Sequence, residues 1–212
     1  MISLRNISKY YGKKNRTEVL KNINLEISRG EMVAIMGKSG CGKTTLMNIL
    51  GGLTMSTSGE YYFDGKKLKN NNRAMCRFRN EKVGIVVQNY ALINNRTAYE
   101  NIAIALKGAN EKVVDNIIKK LGISKVAGKF PTEMSGGECQ RTAIARAIIN
   151  KPDLILADEP TGALDVKTSA EIIDIFRKLN NDGHTVIIVT HDSDVALKCD
   201  RIITMTDGMI TE

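Results

Sequence analysis

The hydrophobic positions of this chain follow two periods. Residues 2–7 alternate apolar and polar, which predicts a strand. A second strand pattern runs over 18–28 and ends at the Arg29-Gly30 turn. Glu60-Tyr61-Tyr62-Phe63, followed by Asp64-Gly65, reads as a strand entering a hairpin. Together these pieces predict a small antiparallel sheet. Apolar runs at 32–36, 83–87, 154–157 and 185–189 predict buried strands, and they fit a mainly parallel sheet covered on both faces. Lys66, Lys67 and Lys69, with three Asn and Arg73 behind them, read as a solvated loop after the hairpin.

The helical period begins at 46–50, directly behind the run at 32–36. It returns at Thr97, where Thr97-x-x-Glu100 is a capping box and Ile102, Ala105 and Leu106 fall on one face. Another helix is predicted from about 111 to 121. Both precede Pro131, so residues from about 90 to 147 are expected to form a helical lobe inserted between core strands. Helical spacing appears again at Ile172, Ile173, Ile175, Phe176 and Leu179. No repeat or low-complexity linker is visible. The chain, 1–212, is expected to be one domain without room for a regulatory tail beyond Asp207-Gly208.

Between the run at 32–36 and the helix at 46–50 lies Gly37-Lys38-Ser39-Gly40-Cys41-Gly42-Lys43-Thr44-Thr45. Strand, glycine-rich loop and helix together make the P-loop pattern G-x-x-x-x-G-K-[ST]. Its glycines let the backbone curl so that several N–H groups point at one anion, and the following helix presents its positive end to the same place. Lys43 is suited to reach the outer phosphates and the Thr44 hydroxyl to sit on Mg²⁺, with Thr45 placed for another phosphate hydrogen bond. The expected fold class is therefore α/β: a P-loop NTPase core with a mainly parallel sheet, a small antiparallel β lobe and an inserted helical lobe.

Composition changes this picture little. No apolar run is long enough to cross a bilayer, and the N-terminus lacks a signal-peptide pattern, so a cytosolic chain is expected. The 4 cysteines, Cys41, Cys76, Cys139 and Cys199, have no metal-ligand spacing and read as free thiols. Cys41, inside the phosphate loop and counted with it among the nucleotide-binding residues, reads as a small residue filling a tolerant position. The net charge of +8 is compatible with nucleic acid, with an anionic membrane face, or with solubility and bound phosphates. The dispersed cations, without a nucleic-acid motif, favour solubility and membrane proximity and argue against a nucleic-acid partner.

The strand at 154–157 delivers Asp158 and Glu159 at its C-terminal end, where parallel sheets place ligands. Asp158 is suited to hold Mg²⁺ opposite Thr44, and Glu159 to orient or deprotonate the water attacking the γ-phosphate. Met134-Ser135-Gly136-Gly137-Glu138-Cys139-Gln140-Arg141 forms a second helix start, with Ser135 as N-cap and Gly136 and Gly137 leaving first-turn N–H groups open to an anion.

The order of 37–45, Gln88, 135–141, 154–165 and His191 resembles that of an ABC transporter ATP-binding subunit over essentially the whole chain. The string at 134–141 is similar to the family's signature, with Met in place of Leu at 134 and Cys at 139 as mild departures. The resemblance implies a head-to-tail homodimer closing on ATP, each nucleotide lying between the P-loop of one copy and Ser135, Gly136 and Gly137 of the other. It further implies that Gln88 senses Mg²⁺ and a transmembrane partner, and that His191 bonds the γ-phosphate and positions Glu159. Asp165 would communicate across the dimer, and Tyr11, preferred over Tyr10 because Gly12 follows it, would stack on adenine. A separate permease is implied, with the chain peripheral on the inner face of the cell membrane. The short length and the string at 156–165 resemble the branch of macrolide and peptide exporters, lipoprotein-release and bacitracin-resistance systems and a cell-division ATPase. Export of, or resistance to, antimicrobial peptides or bacteriocins is the favoured expectation. A non-transporting complex that transmits force to extracellular enzymes is the alternative, and a soluble DNA-repair or translation ATPase is disfavoured.

Overall fold

The computed structural model describes residues 1–12, 15–106, 108 and 110–211. Two sheets organise it. The first is antiparallel, with strand order β2-β1-β4-β5, built from β1 (Ile2–Tyr11), β2 (Thr17–Ile27), β4 (Ser58–Phe63) and β5 (Lys66–Lys67). The second has the order β10-β9-β3-β8-β7-β6. It comprises β3 (Met32–Gly37), β6 (Val83–Val86), β7 (Leu154–Asp158), β8 (Thr185–Val189), β9 (Arg201–Thr206) and β10 (Met209–Thr211), parallel except for β10.

The helices are α1 (Lys43–Leu50), α2 (Asn72–Lys82), α3 (Ala98–Ala103), α4 (Glu111–Lys120), α5 (Gly136–Ile148), α6 (Val166–Asn181) and α7 (Ser193–Ala196). They complete two hydrophobic cores, one on each face of the second sheet. The strands divide between these by their period of two. Leu154 and Leu156 of β7, with Ile187 and Val189 of β8, join Leu46, Leu50 and the inner face of the antiparallel sheet. Ile155, Ala157, Val186 and Ile188 pack instead with Ile102, Ile144, Ile172 and Phe176 from the helices. Burial on both faces explains why β7 and β8 read as unbroken apolar runs.

The expected α/β fold, parallel core, antiparallel lobe and helices between β6 and β7 are all present. Three segments differ from the sequence reading. The stretch read as a solvated loop, residues 66–73, instead supplies β5 at Lys66–Lys67 and, from Asn72, the start of α2, whose N-cap Asn71 accepts the Ala74 N–H at 2.9 Å. Only Met75 and Phe78 are buried along it, so its apolar stripe is too thin to see among the Arg, Lys and Asn residues. Phe78 nonetheless anchors the helix, with its ring edge-on to Phe63 at 4.9 Å and to Tyr61 at 5.7 Å. β1 continues to Tyr11 instead of ending near residue 7, because register shifts after Leu4, Ile7 and Lys9 interrupt the alternation. The last two strands form a hairpin through Asp207 and Gly208, both at positive φ (48° and 81°), as a primed two-residue turn requires.

The parallel sheet fixes the site. β3, β6, β7 and β8 run the same way, and residues 37, 88, 158–159 and 191 all lie at or just beyond their C-terminal ends.

Candidate active site

The phosphate loop leaves β3 at Gly37 and returns as α1 at Lys43. A Cβ on Gly37 would come within 2.3 Å of the Met205 carbonyl oxygen, so only glycine lets the loop lie this close to β9. Gly42 is the N-cap of α1 at φ 107°, and no side chain caps the helix or adds an acidic group to its first turn. The first-turn N–H groups of α1 are therefore free to meet an anion. Lys43 is drawn back across the loop, its Nζ donating to the carbonyl oxygens of Gly37 at 2.6 Å and Lys38 at 3.0 Å.

Facing the loop are the ends of β7 and β8, where the register sets Asp158 beside Val189. Burial, and then the neighbouring Glu159, push the Asp158 carboxyl above its ordinary range, with Lys43 pulling the other way. Glu159 adopts φ 44°, an uncommon conformation for its type, and its N–H donates to the Val189 carbonyl at 2.8 Å. Its carboxylate lies 2.7 Å from His191 Nδ1 and accepts from the Thr190 hydroxyl at 3.2 Å. An ionised carboxylate can only accept, so this contact puts a proton on Nδ1 of His191. The Glu159 side chain is 12% exposed and that of His191 71%, so a nearly buried acid is aimed by an accessible imidazole.

Gly37, Lys43, Thr44, Gln88, Asp158, Glu159 and His191 line one cleft of about 650 Å³, along with Ser39, Gly40, Gly42 and Thr45. Cys41 is placed differently. It is buried, and its sulfur packs where a Gly37 Cβ would lie 2.7 Å away, so its side chain belongs to the core below the loop. Asp158, Thr44 and Gln88 bring a carboxylate, a hydroxyl and an amide oxygen to the cleft, a hard donor set suited to a small divalent cation. The unfavourably buried charge of Asp158 would be relieved by such a cation. Among the described residues no group of three or more His, Cys, Asp or Glu forms a metal cage. Mg²⁺ characteristically needs only one or two carboxylates besides phosphate oxygens and water.

Other predicted residues lie outside the lining of this cleft. Tyr11 ends β1, 45% exposed as a residue, with the Lys9 ammonium over one face of its ring at 4.9 Å. Ser135 caps α5 through a capping box: its hydroxyl accepts from Glu138 N–H at 3.4 Å, while the Glu138 carboxylate accepts the Ser135 N–H at 2.8 Å. The Ser135 N–H, and then its hydroxyl donating to the same carboxylate at 2.9 Å, hold the Glu138 carboxyl below its usual range. Gly136 lies against the Tyr90 hydroxyl and Gly137 against the Thr168 methyl, so side chains at either position would crowd the helix start. Asp165 is the N-cap of α6, accepting from Thr168 N–H at 3.0 Å.

Sequence reasoning passed over Thr190. It is fully buried, donates to Glu159 and accepts the Asp192 N–H at 3.0 Å, so it fixes both neighbours of His191. A threonine closing an apolar β-branched strand looks like one more strand residue, and only its place beside His191 could have singled it out.

A family model described as "ABC transporter" matches residues 20–162. The chain is 42% identical over 220 residues to the macrolide export ATP-binding/permease protein MacB of Mannheimia succiniciproducens, a match covering 100% of this chain and 34% of MacB. The chain thus spans about a third of the length of the MacB relatives it matches. It is 44% identical over 216 residues to YvrO of Bacillus subtilis, an uncharacterized ABC transporter ATP-binding protein, covering 98% of this chain and 94% of YvrO. Among solved structures, the dimeric post-hydrolysis state of the ATP-binding cassette MJ0796 bound to ADP and Pi superimposes with a TM-score of 0.91 at 40% identity, covering 100% of this chain and 97% of that one. Phosphate loop, paired acids and histidine in one cleft, matched along the chain to these relatives, lead to one assignment: the chain belongs to the ABC transporter family and is an ATP-binding, ATP-hydrolysing cassette.

Proposed function

We propose that two copies of this chain close head to tail around ATP and that closing and reopening drive a membrane permease. The observation that carries this is the division of the site. Lys43, Thr44, Asp158, Glu159 and His191 share one cleft, while Ser135, Gly136, Gly137 and Asp165 do not line it. A chain with two phosphate-seeking helix starts has use for both if each serves a different nucleotide. The dimeric form of the MJ0796 cassettes supports the same reading.

In this reading the loop N–H groups and Lys43 bind the β- and γ-phosphates, and Thr45 adds a hydrogen bond. Asp158, Thr44 and Gln88 hold Mg²⁺, which draws charge off the phosphate oxygens when bound. Glu159 accepts a proton from the attacking water or orients it, while His191 holds that carboxylate through Nδ1–H and, when its ring carries both protons, donates Nε2–H to the γ-phosphate. Tyr11 stacks on adenine, and Ser135 with the N–H groups of Gly136 and Gly137 contacts the γ-phosphate of the partner's ATP. Asp165, at the start of α6, reports on the facing copy. Loss of the γ-phosphate removes contacts that both copies share, so the pair reopens.

None of the helices among the described residues is long and apolar enough to cross a membrane. The permease that this cassette drives is proposed to hold it on the inner face of the cell membrane and to export antimicrobial compounds of the peptide or bacteriocin class. The export named for the MacB relatives supports that direction. Glu159→Gln tests the chemistry. It should leave ATP binding intact, stop turnover and trap an ATP-bound dimer visible by size-exclusion chromatography with light scattering. Wild-type turnover in this variant would remove Glu159 from its role.

A further inference from the structure

The turn that carries Gln88 is held from outside the nucleotide cleft. Residues 88–91 follow β6 as a turn, and Tyr90 and Ala91 both adopt left-handed angles, φ 58° and 47°. Two consecutive non-glycine residues seldom sit there unless their surroundings enforce it. The enforcing group is Arg146, near the C-terminal end of α5. Its Nη1 donates to the Ala91 carbonyl at 2.6 Å and its Nη2 to the Tyr90 carbonyl at 2.8 Å. A planar guanidinium meets the two oxygens from two separate nitrogens in a fixed fork, whereas an ammonium has to bring both to one nitrogen. The Tyr90 ring packs, partly buried, against the helix-side core, and its hydroxyl lies 3.0 Å from where a Gly136 Cβ would stand. The turn is thus bonded near one end of α5 by Arg146 and lies beside its other end at Gly136.

Arg146 itself lines a different groove, of about 630 Å³, shared with Arg79, Ile85 and Ile104. It does not line the cleft that holds Gln88, Asp158 and Glu159. We infer that Arg146 is a positioning residue for ATP hydrolysis: it holds residues 90–91 left-handed and so sets where the Gln88 amide stands in the cleft. This rests on the role proposed above for Gln88.

The test compares steady-state ATP hydrolysis and thermal unfolding of Arg146→Met, Arg146→Lys, the double variant Arg146→Met with Ala91→Gly, and Gln88→Ala. Arg146→Met should lower kcat about 10-fold through a displaced Gln88, with the KM for ATP within about twofold of wild type. Arg146→Lys keeps the charge and most of the length, so it should fold even if the Met variant does not, and it should also be slow because one nitrogen does not reproduce the fixed fork of two. Adding Ala91→Gly should restore most of kcat, since glycine adopts the left-handed angle unaided. A purely structural Arg146 would give a lower Tm with kcat unchanged, or no recovery from the glycine, and either result overturns the inference. Slow Gln88→Ala with fast Arg146→Met and Arg146→Lys overturns it while leaving the Gln88 role intact. Wild-type hydrolysis by Gln88→Ala overturns both.

Discussion

Thr190→Val isolates the aiming of Glu159 from its chemistry. Valine fills nearly the same space as threonine, so a fully buried position keeps its packing and loses only the hydroxyl. That hydroxyl makes two bonds, donating to Glu159 at 3.2 Å and accepting from Asp192 N–H at 3.0 Å. A hydrogen bond to a charged group contributes about 1.5–3 kcal/mol. At 3.2 Å the Glu159 bond belongs at the lower end, and two other ties, the Val189 carbonyl and His191, remain. We therefore expect roughly 1.5 kcal/mol of lost transition-state stabilisation, close to a 10-fold fall in kcat. Thr190 does not line the cleft, so the KM for ATP should hold. The Asp192 residue is exposed, so water can reach the abandoned N–H and the loss of stability should stay at about 1.5–2 kcal/mol. Steady-state hydrolysis alongside thermal unfolding reads both. A kcat within twofold of wild type would show that Thr190 does not aim Glu159, and a KM rise with kcat intact would show that it shapes the phosphate site instead.

Two further predictions concern electrostatics and packing. Because burial raises the Asp158 pKa, the folded state favours its protonated form: stability is greatest below the ordinary carboxylate pKa, near about 4, and declines as pH rises through the folded value. Without nucleotide or metal, Asp158→Asn should therefore unfold at a higher temperature than wild type at pH 7. The gap should close toward pH 4, and a gap independent of pH would contradict the assigned cause. Phe78→Ala should destabilise the fold by about 3–5 kcal/mol by removing the anchor of α2 from Phe63 and Tyr61, with ATP affinity unchanged in a titration of the folded fraction. A loss below about 1 kcal/mol, far under the range for a buried aromatic, would mean that α2 is not held by this contact.

The site was legible wherever a residue type is demanded by chemistry at fixed spacing. Gly37, Gly42 and Lys43 follow from phosphate geometry, and Asp158 and Glu159 from their place at the end of an apolar run. Ser135 is legible as a cap because its partner Glu138 sits three residues on. Residues that act through another residue left no such mark. Thr190 looks like strand and Arg146 like a helix cation, and each acquires meaning only when folding brings in Glu159 or the carbonyls of Tyr90 and Ala91. Cys41 shows the reverse: its place in the loop suggested the cleft, while the curl that exposes the loop N–H groups turns its sulfur into the core. For the fold, the buried strands were visible because both faces are covered. α2 was not, because a helix held by Met75 and Phe78 alone carries almost no periodic signal.

The shared site is tested most directly by mixing two defective copies and measuring ATP hydrolysis. Lys43→Ala removes the phosphate loop's cation, and Ser135→Arg obstructs the start of α5. Each alone should be nearly inactive. Combined, they should form mixed pairs in which the intact loop of one copy faces the intact α5 start of the other, and hydrolysis should rise well above the sum of the separate samples. A mixture no faster than that sum, or Ser135→Arg hydrolysing ATP at the wild-type rate on its own, would contradict a site divided between two copies.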